Sequence, residues 1–123
     1  MSSANILIID NDELLVEAIL IRLTSEGYTC YTANSGAQGV SMFSELTFDA
    51  VLTDLNMPSG DGVSVIREIR KSSNVPVLVL TGFESDFGDD LETFEHVSVI
   101  NKPFEIDALI DELDLAIGLS EAH

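Results

Sequence analysis

The sequence predicts an α/β fold: a doubly wound, five-stranded parallel sheet in the order 2-1-3-4-5 with helices on both faces. Three observations predict it. Aliphatic runs alternate five times with stretches of helical periodicity, which marks βαβ units and a parallel sheet buried on both sides. Four of the runs end on polar residues: Ile6–Ile9 at Asp10, Ala50–Thr53 at Asp54, Val77–Leu80 at Thr81, and Val97–Ile100 at Asn101 and Lys102. The 123 residues allow one core and one domain, and five strands suit the smaller of the two common doubly wound orders.

The elements follow in order. Ile6–Ile9 is a strand, and Asp12 caps a helix over Asp12–Glu26 that Gly27 ends. Thr29–Ala33 is a strand; Ser35 caps the helix Ser35–Leu46; Ala50–Thr53 is the next strand. The segment Asp54–Gly62 is a Pro/Gly-punctuated loop leading into a helix over Asp61–Lys71. Val75–Leu80 is a strand, Asp86–Phe94 a short, acid-crowded helix, Val97–Ile100 the last strand, and Glu105–Gly118 the last helix. In that last helix Ile106, Leu109, Ile110, Leu113 and Ile117 form one apolar stripe, opposite Asp107, Asp111 and Asp114. In the first helix, turning Leu15, Ala18, Ile19 and Leu23 inward leaves Val16 and Leu20 on the solvent side. Leu119–His123 is a short tail.

Composition excludes several classes of function. A net charge of −17, from 22 acids and five bases, repels nucleic acid and anionic membrane. No apolar run reaches the roughly 18 residues of a membrane span, and Met1–Asn5 carries no signal-peptide pattern, so a cytoplasmic location is expected. Cys30 is the only cysteine, which rules out a disulfide framework and leaves it as a small core residue. Between Glu84 and Glu121 there are twelve carboxylates and a single base, Lys102, which read as a solvated face or, alternatively, as a docking face for a basic partner.

If the strands are parallel, Asp10, Asp54, Thr81 and Lys102 converge at the carboxyl edge, where open α/β sheets bind ligands. A lone aspartate at a strand end is usually structural; this convergence is what singles out Asp54. Clustered carboxylates with a loop carbonyl make an all-oxygen site suited to Mg²⁺. A carboxylate can also attack phosphorus to give an acyl phosphate, and that transfer needs charge neutralisation more than acid–base help. Lys102 and a metal could supply it, with the Thr81 hydroxyl donating a hydrogen bond.

Four motifs in order, Ile8-Ile9-Asp10-Asn11-Asp12-Glu13, Asp54-Leu55-Asn56-Met57-Pro58-Ser59-Gly60-Asp61-Gly62, Leu80-Thr81-Gly82 and Lys102-Pro103-Phe104, resemble receiver domains of two-component response regulators. The likeness is to the single-domain, chemotaxis-regulator type with a flavodoxin-like sheet, and it covers residues 4–118. It implies that Asp54 is the phosphoacceptor, served by a histidine kinase or a histidine phosphotransfer protein. It implies that Asp10, Asp54 and the main-chain carbonyl of Asn56 hold Mg²⁺, with Asn11 or Asp12 as a further ligand. Thr81 and Lys102 would contact the phosphoryl group, Gly82 would lie beside it, and the Lys102–Pro103 bond would be cis. An unidentified protein effector would read the last strand and its flanking helices.

Three residues depart from that pattern. Asn11 stands where the family has a second acid, which weakens the metal site unless Asp12 substitutes. Val99 stands where the family commonly has an aromatic switch. Phe83 puts a ring beside the site that could shield an acyl phosphate from water. Two other readings remain: a pseudo-receiver that binds protein without phosphate control, and a phosphatase of the haloacid dehalogenase type using Asp10 as nucleophile. The last differs on one residue, since phosphate would be trapped on Asp10 rather than Asp54.

Overall fold

The computed structural model describes residues 4–54, 62–81 and 95–121. In those residues five strands and four helices alternate: β1 (Asn5–Ile9), α1 (Glu13–Ser25), β2 (Thr29–Ala33), α2 (Gly36–Glu45), β3 (Ala50–Asp54), α3 (Gly62–Arg70), β4 (Val77–Thr81), β5 (Val97–Asn101) and α4 (Ile106–Glu121). All strands pair in parallel, in the order β2-β1-β3-β4-β5. The sheet order and strand positions expected from the sequence are therefore observed. The helix expected over Asp86–Phe94 lies outside the described residues, as do the Asn56, Asp61 and Phe83 positions.

The three central strands, β1, β3 and β4, bury both faces because their residues are aliphatic on both. Leu7, Ile9, Val51, Val77 and Val79 point to one side, where Val63, Ile66 and Ile69 of α3 and the aromatic group around Phe48 cover them. Ile6, Ile8, Ala50, Leu52, Leu78 and Leu80 point to the other, against Ile19 and Leu23 of α1 and Leu109, Ile110, Leu113 and Ile117 of α4. The stripe expected on the last helix is this contact, with Ile106 packed at its margin. Two cores back to back hold the sheet rigid, so side chains at strand ends inherit fixed positions.

Helix ends follow local chemistry. The Asp12 carboxylate accepts the Leu15 N–H and the Ser35 hydroxyl accepts the Gln38 N–H, each satisfying an otherwise orphaned donor. Gly27 takes φ 98° just after α1, the left-handed conformation a glycine adopts without strain. Gly118, by contrast, is not among the glycines with positive φ, so it does not stop the last helix, which runs to Glu121 rather than ending there.

Two expectations about α1 need correction. Val16 and Leu20 are half-buried rather than solvent-facing: they line a cavity of about 310 Å³ between α1 and α2. Ala18 is exposed, and the outward apolar residues are Leu14 (81% exposed) and Ile21 (64%). The helix is apolar nearly all round, and its orientation is fixed by Ile19 and Leu23 meeting the sheet and by the Arg22–Asp107 ion pair to α4.

One arginine has a structural role that the sequence did not announce. Arg70, at the end of α3, donates from Nε and Nη2 to the Glu95 carbonyl, from Nη2 to that of His96, and from Nη1 to that of Ser73. It thereby holds the chain entering β5 against the chain leaving α3. Its planar fork suits several carbonyls at once, as a lysine would not.

Candidate functional site

Four described strand ends meet at the carboxyl edge of the sheet. Register aligns them: Ile9 faces Thr53 across β1 and β3, Asp54 faces Leu80, and Thr81 faces Asn101. Asp10 therefore follows β1 beside the end of β3, which carries Asp54. These are the strands on either side of the point where the winding reverses. The Lys102 N–H donates to the Thr81 carbonyl at 2.8 Å, carrying the β4–β5 pairing one residue further. The Lys102–Pro103 bond is cis, as expected.

The side chains converge as the strand ends imply. Asp10 (3% exposed), Asp54 (6%) and Thr81 (1%) are buried, and Lys102 reaches in from β5. Its Nζ lies 3.6 Å from Asp10 Oδ2 and 3.6 Å from Asp54 Oδ2. One ammonium thus bridges two buried carboxylates. The separation is an ionic contact longer than a hydrogen bond, and Asp10 Oδ2 has no hydrogen-bond partner among the described residues. Asp10 Oδ1 accepts the Asp12 N–H at 2.9 Å, an Asx turn that the Asp-x-Asp spacing makes possible. Thr53, next to Asp54, turns its hydroxyl to the Asp54 carbonyl at 3.1 Å and takes no place in the cluster.

Burial pushes the Asp10 carboxyl above its ordinary range. The Asp12 N–H and the Lys102 ammonium pull it back, and the Asp54 and Asp12 charges push it up again. A raised pKa means the folded protein favours the neutral acid, so this group stabilises the fold fully below 3.8 and loses that contribution as pH rises through its folded-state value. Asp10→Asn keeps an acceptor for the Asp12 N–H and carries no charge. In Mg²⁺-free buffer near pH 7 it is expected to raise the melting temperature by a few degrees, about 1 kcal/mol. The gain should shrink on acidification and vanish below 3.8. Thermal melts across pH test this, and a variant less stable than wild type at pH 7 would refute it.

The geometry brings together Asp10, Asp54, Thr81 and Lys102 of the residues expected from the sequence. Asn11 and Asp12 follow directly with exposed side chains, while Asn56 and Gly82 lie outside the described residues. Two buried carboxylates, one with an unsatisfied oxygen, form a hard-oxygen donor set that fits Mg²⁺.

Comparison with known proteins gives a consistent result. The family model for the response regulator receiver domain matches residues 6–114. The transcriptional regulatory protein GlrR of Escherichia coli K12 is 37% identical over 119 residues, covering 95% of this chain and 27% of that protein. The cell cycle transcriptional regulator CtrA of Caulobacter vibrioides is 31% identical, covering 96% and 52% respectively. The chain thus spans between about a quarter and a half of the length of these curated relatives. Among solved structures, the response regulator TrrA of Thermotoga maritima, in complex with Mg(2+)-BeF, superposes with TM-score 0.81 at 28% identity, covering 92% of this chain and 98% of that one. Chemotaxis protein CheY4 of Vibrio cholerae shares the fold with TM-score 0.87 at 24% identity, covering 94% and 99%.

Proposed function

The chain belongs to the response regulator receiver domain family, and on that premise we propose that Asp54 is its phosphoacceptor. The phosphoryl group comes from a histidine kinase or a histidine phosphotransfer protein, and the change passes on through protein–protein contacts. The observation that carries this reading is the single ammonium of Lys102 held 3.6 Å from both Asp54 and Asp10 at the sheet's carboxyl edge.

The chemistry follows from that arrangement. An Asp54 carboxylate oxygen attacks phosphorus, and a new P–O bond forms as the bond from phosphorus to the donor's ring nitrogen breaks. The electron pair leaves with the donor. Negative charge stays on the transferred oxygens, and Lys102, already within ionic contact of Asp54, is placed to neutralise it. Burial strengthens that attraction relative to water. The Thr81 hydroxyl, one strand over, is the nearby donor to a phosphoryl oxygen. Mg²⁺, when bound, adds positive charge against the same oxygens; Asp10 and Asp54 would hold it, together with the Asn56 carbonyl.

Output belongs to β5 and the helices beside it. Val99 is 45% exposed there, and a valine has no ring to swing between inward and outward positions. A relay through position 99 therefore works through backbone movement rather than an aromatic rotamer. No helix among the described residues is long and apolar enough to cross a membrane, and with the acidic surface this fits action in the cytoplasm on protein partners.

The test is incubation with acetyl phosphate and Mg²⁺ followed by intact mass measurement. Wild type should gain about 80 Da, one phosphoryl group, and Asp54→Ala should gain nothing. An adduct that persists in Asp54→Ala but is lost in Asp10→Ala would mark a phosphatase instead. No adduct on folded wild type would mark a pseudo-receiver.

A further inference from the structure

We infer that, among the described residues, the cation site of this pocket has two anionic side-chain ligands, because the neighbouring acid, Asp12, is committed to capping α1, and that Asn11 sets its low affinity. This rests on the Mg²⁺-assisted phosphoacceptor reading above and extends it to the residues that tune the metal.

Two acids, Asp10 and Asp12, flank Asn11, so either could be expected to serve a cation. The structure separates their tasks. Asp12 Oδ1 accepts the Leu15 N–H at 3.2 Å, and the Asp12 N–H is itself bound by Asp10 Oδ1 at 2.9 Å. Asp12 is thus fixed at both backbone and side chain, with an exposed carboxylate that serves the helix rather than the pocket. Swinging it inward would strip the Leu15 N–H in the first turn of its capping acceptor.

The remaining donors are Asp10 and Asp54, whose two negative charges are already offset by one ammonium, Lys102, to a net charge of −1. Among the described residues no group of three or more acidic, histidine or cysteine side chains could hold a metal ion. Asn11 adds an amide, which can offer an oxygen but no charge. A hard divalent ion depends on ligand charge count for its affinity. An aspartate at position 11 would double the net charge facing the ion from −1 to −2. A unit charge about 6 Å from a divalent ion corresponds to roughly a tenfold change in binding even at the dielectric constant of water.

Calorimetric titration of MgCl₂ into the metal-free protein at about 0.01 M ionic strength, where salt screens little over about 6 Å, tests this without any phosphoryl transfer. Asn11→Asp should bind Mg²⁺ at least about tenfold more tightly than wild type. Asp12→Ser keeps a capping oxygen while removing the carboxylate, so it should fold and bind Mg²⁺ within about threefold of wild type. Equal affinities of Asn11→Asp and wild type would overturn the inference. So would a loss of tenfold or more in Asp12→Ser, which would make Asp12 a ligand. Asp54 phosphorylation is read separately by mass, so a wild type that forms the adduct while either variant misbehaves refutes only this inference.

Discussion

Lys102→Met should destabilise the metal-free protein by on the order of 3 kcal/mol at pH 7, a fall of about ten degrees in melting temperature. The substitution keeps a long side chain and removes the only described charge that faces both buried carboxylates. Asp10 and Asp54 would then repel one another in a site that water barely reaches. Asp10 is already pushed up by burial, and losing the ammonium that pulls it down must raise it further. The sign of the pH dependence follows. The folded variant binds a proton more readily than the unfolded chain, so its stability should increase as pH falls from 7 toward the carboxyl range. Ordinary acid unfolding runs the other way. The same variant should take up phosphate from acetyl phosphate about a hundredfold more slowly, since the charge aimed at the transferred oxygens is gone. Thermal melts between pH 4 and 8 and time-resolved intact mass read the two effects. A variant that melts like wild type at pH 7 would show that the ion contacts carry no weight.

Much of this site was legible because a parallel sheet writes its edge into the sequence. An aliphatic run that stops at Asp54 or Thr81 declares both the strand and the end that faces the ligand, and the observed strands stop at those residues. The sequence could not orient α1. With Leu14, Leu15, Val16, Ile19, Leu20, Ile21 and Leu23 spread around the helix, periodicity leaves several inward faces nearly equivalent. Tertiary contact chose Ile19 and Leu23, put Leu14 and Ile21 outside, and turned Val16 and Leu20 into the wall of a groove. Asp12 was legible as a cap; that the same cap withholds it from the pocket required knowing where its carboxylate points. Arg70 gave no signal, because its partners are backbone carbonyls, two of them some 25 residues away in sequence, and any residue type could have supplied them.

Gly39 gave no signal either, and replacing it should have the larger structural consequence. It lies within α2, where alanine ordinarily gains about 1 kcal/mol over glycine. Here a Cβ would sit 2.4 Å from Ile9 Cδ1, 2.7 Å from Cγ1 and 3.3 Å from Cγ2. Ile9 is fully buried among Leu7, Ala33 and Val51, so its side chain has nowhere to retreat. Overpacking of this kind costs more than the propensity gain, and Gly39→Ala should lose about 2 kcal/mol net, Gly39→Val more. Gly118→Ala is the internal control: it is also helical, its Cβ meets nothing within 4 Å, and it should be neutral or slightly stabilising. Ile9→Val removes Cδ1, the closest atom. In the Gly39→Ala background it should therefore cost less than it does alone, a coupling that a double-mutant cycle measures. Simple additivity would show that the close approach is not the cause. The consequence reaches the site as well, because Ile9 immediately precedes Asp10. A strand end pushed away from α2 displaces that carboxylate from Lys102 and the Asp12 N–H, so Gly39→Ala should also slow formation of the Asp54 adduct, and Ile9→Val should restore part of the rate.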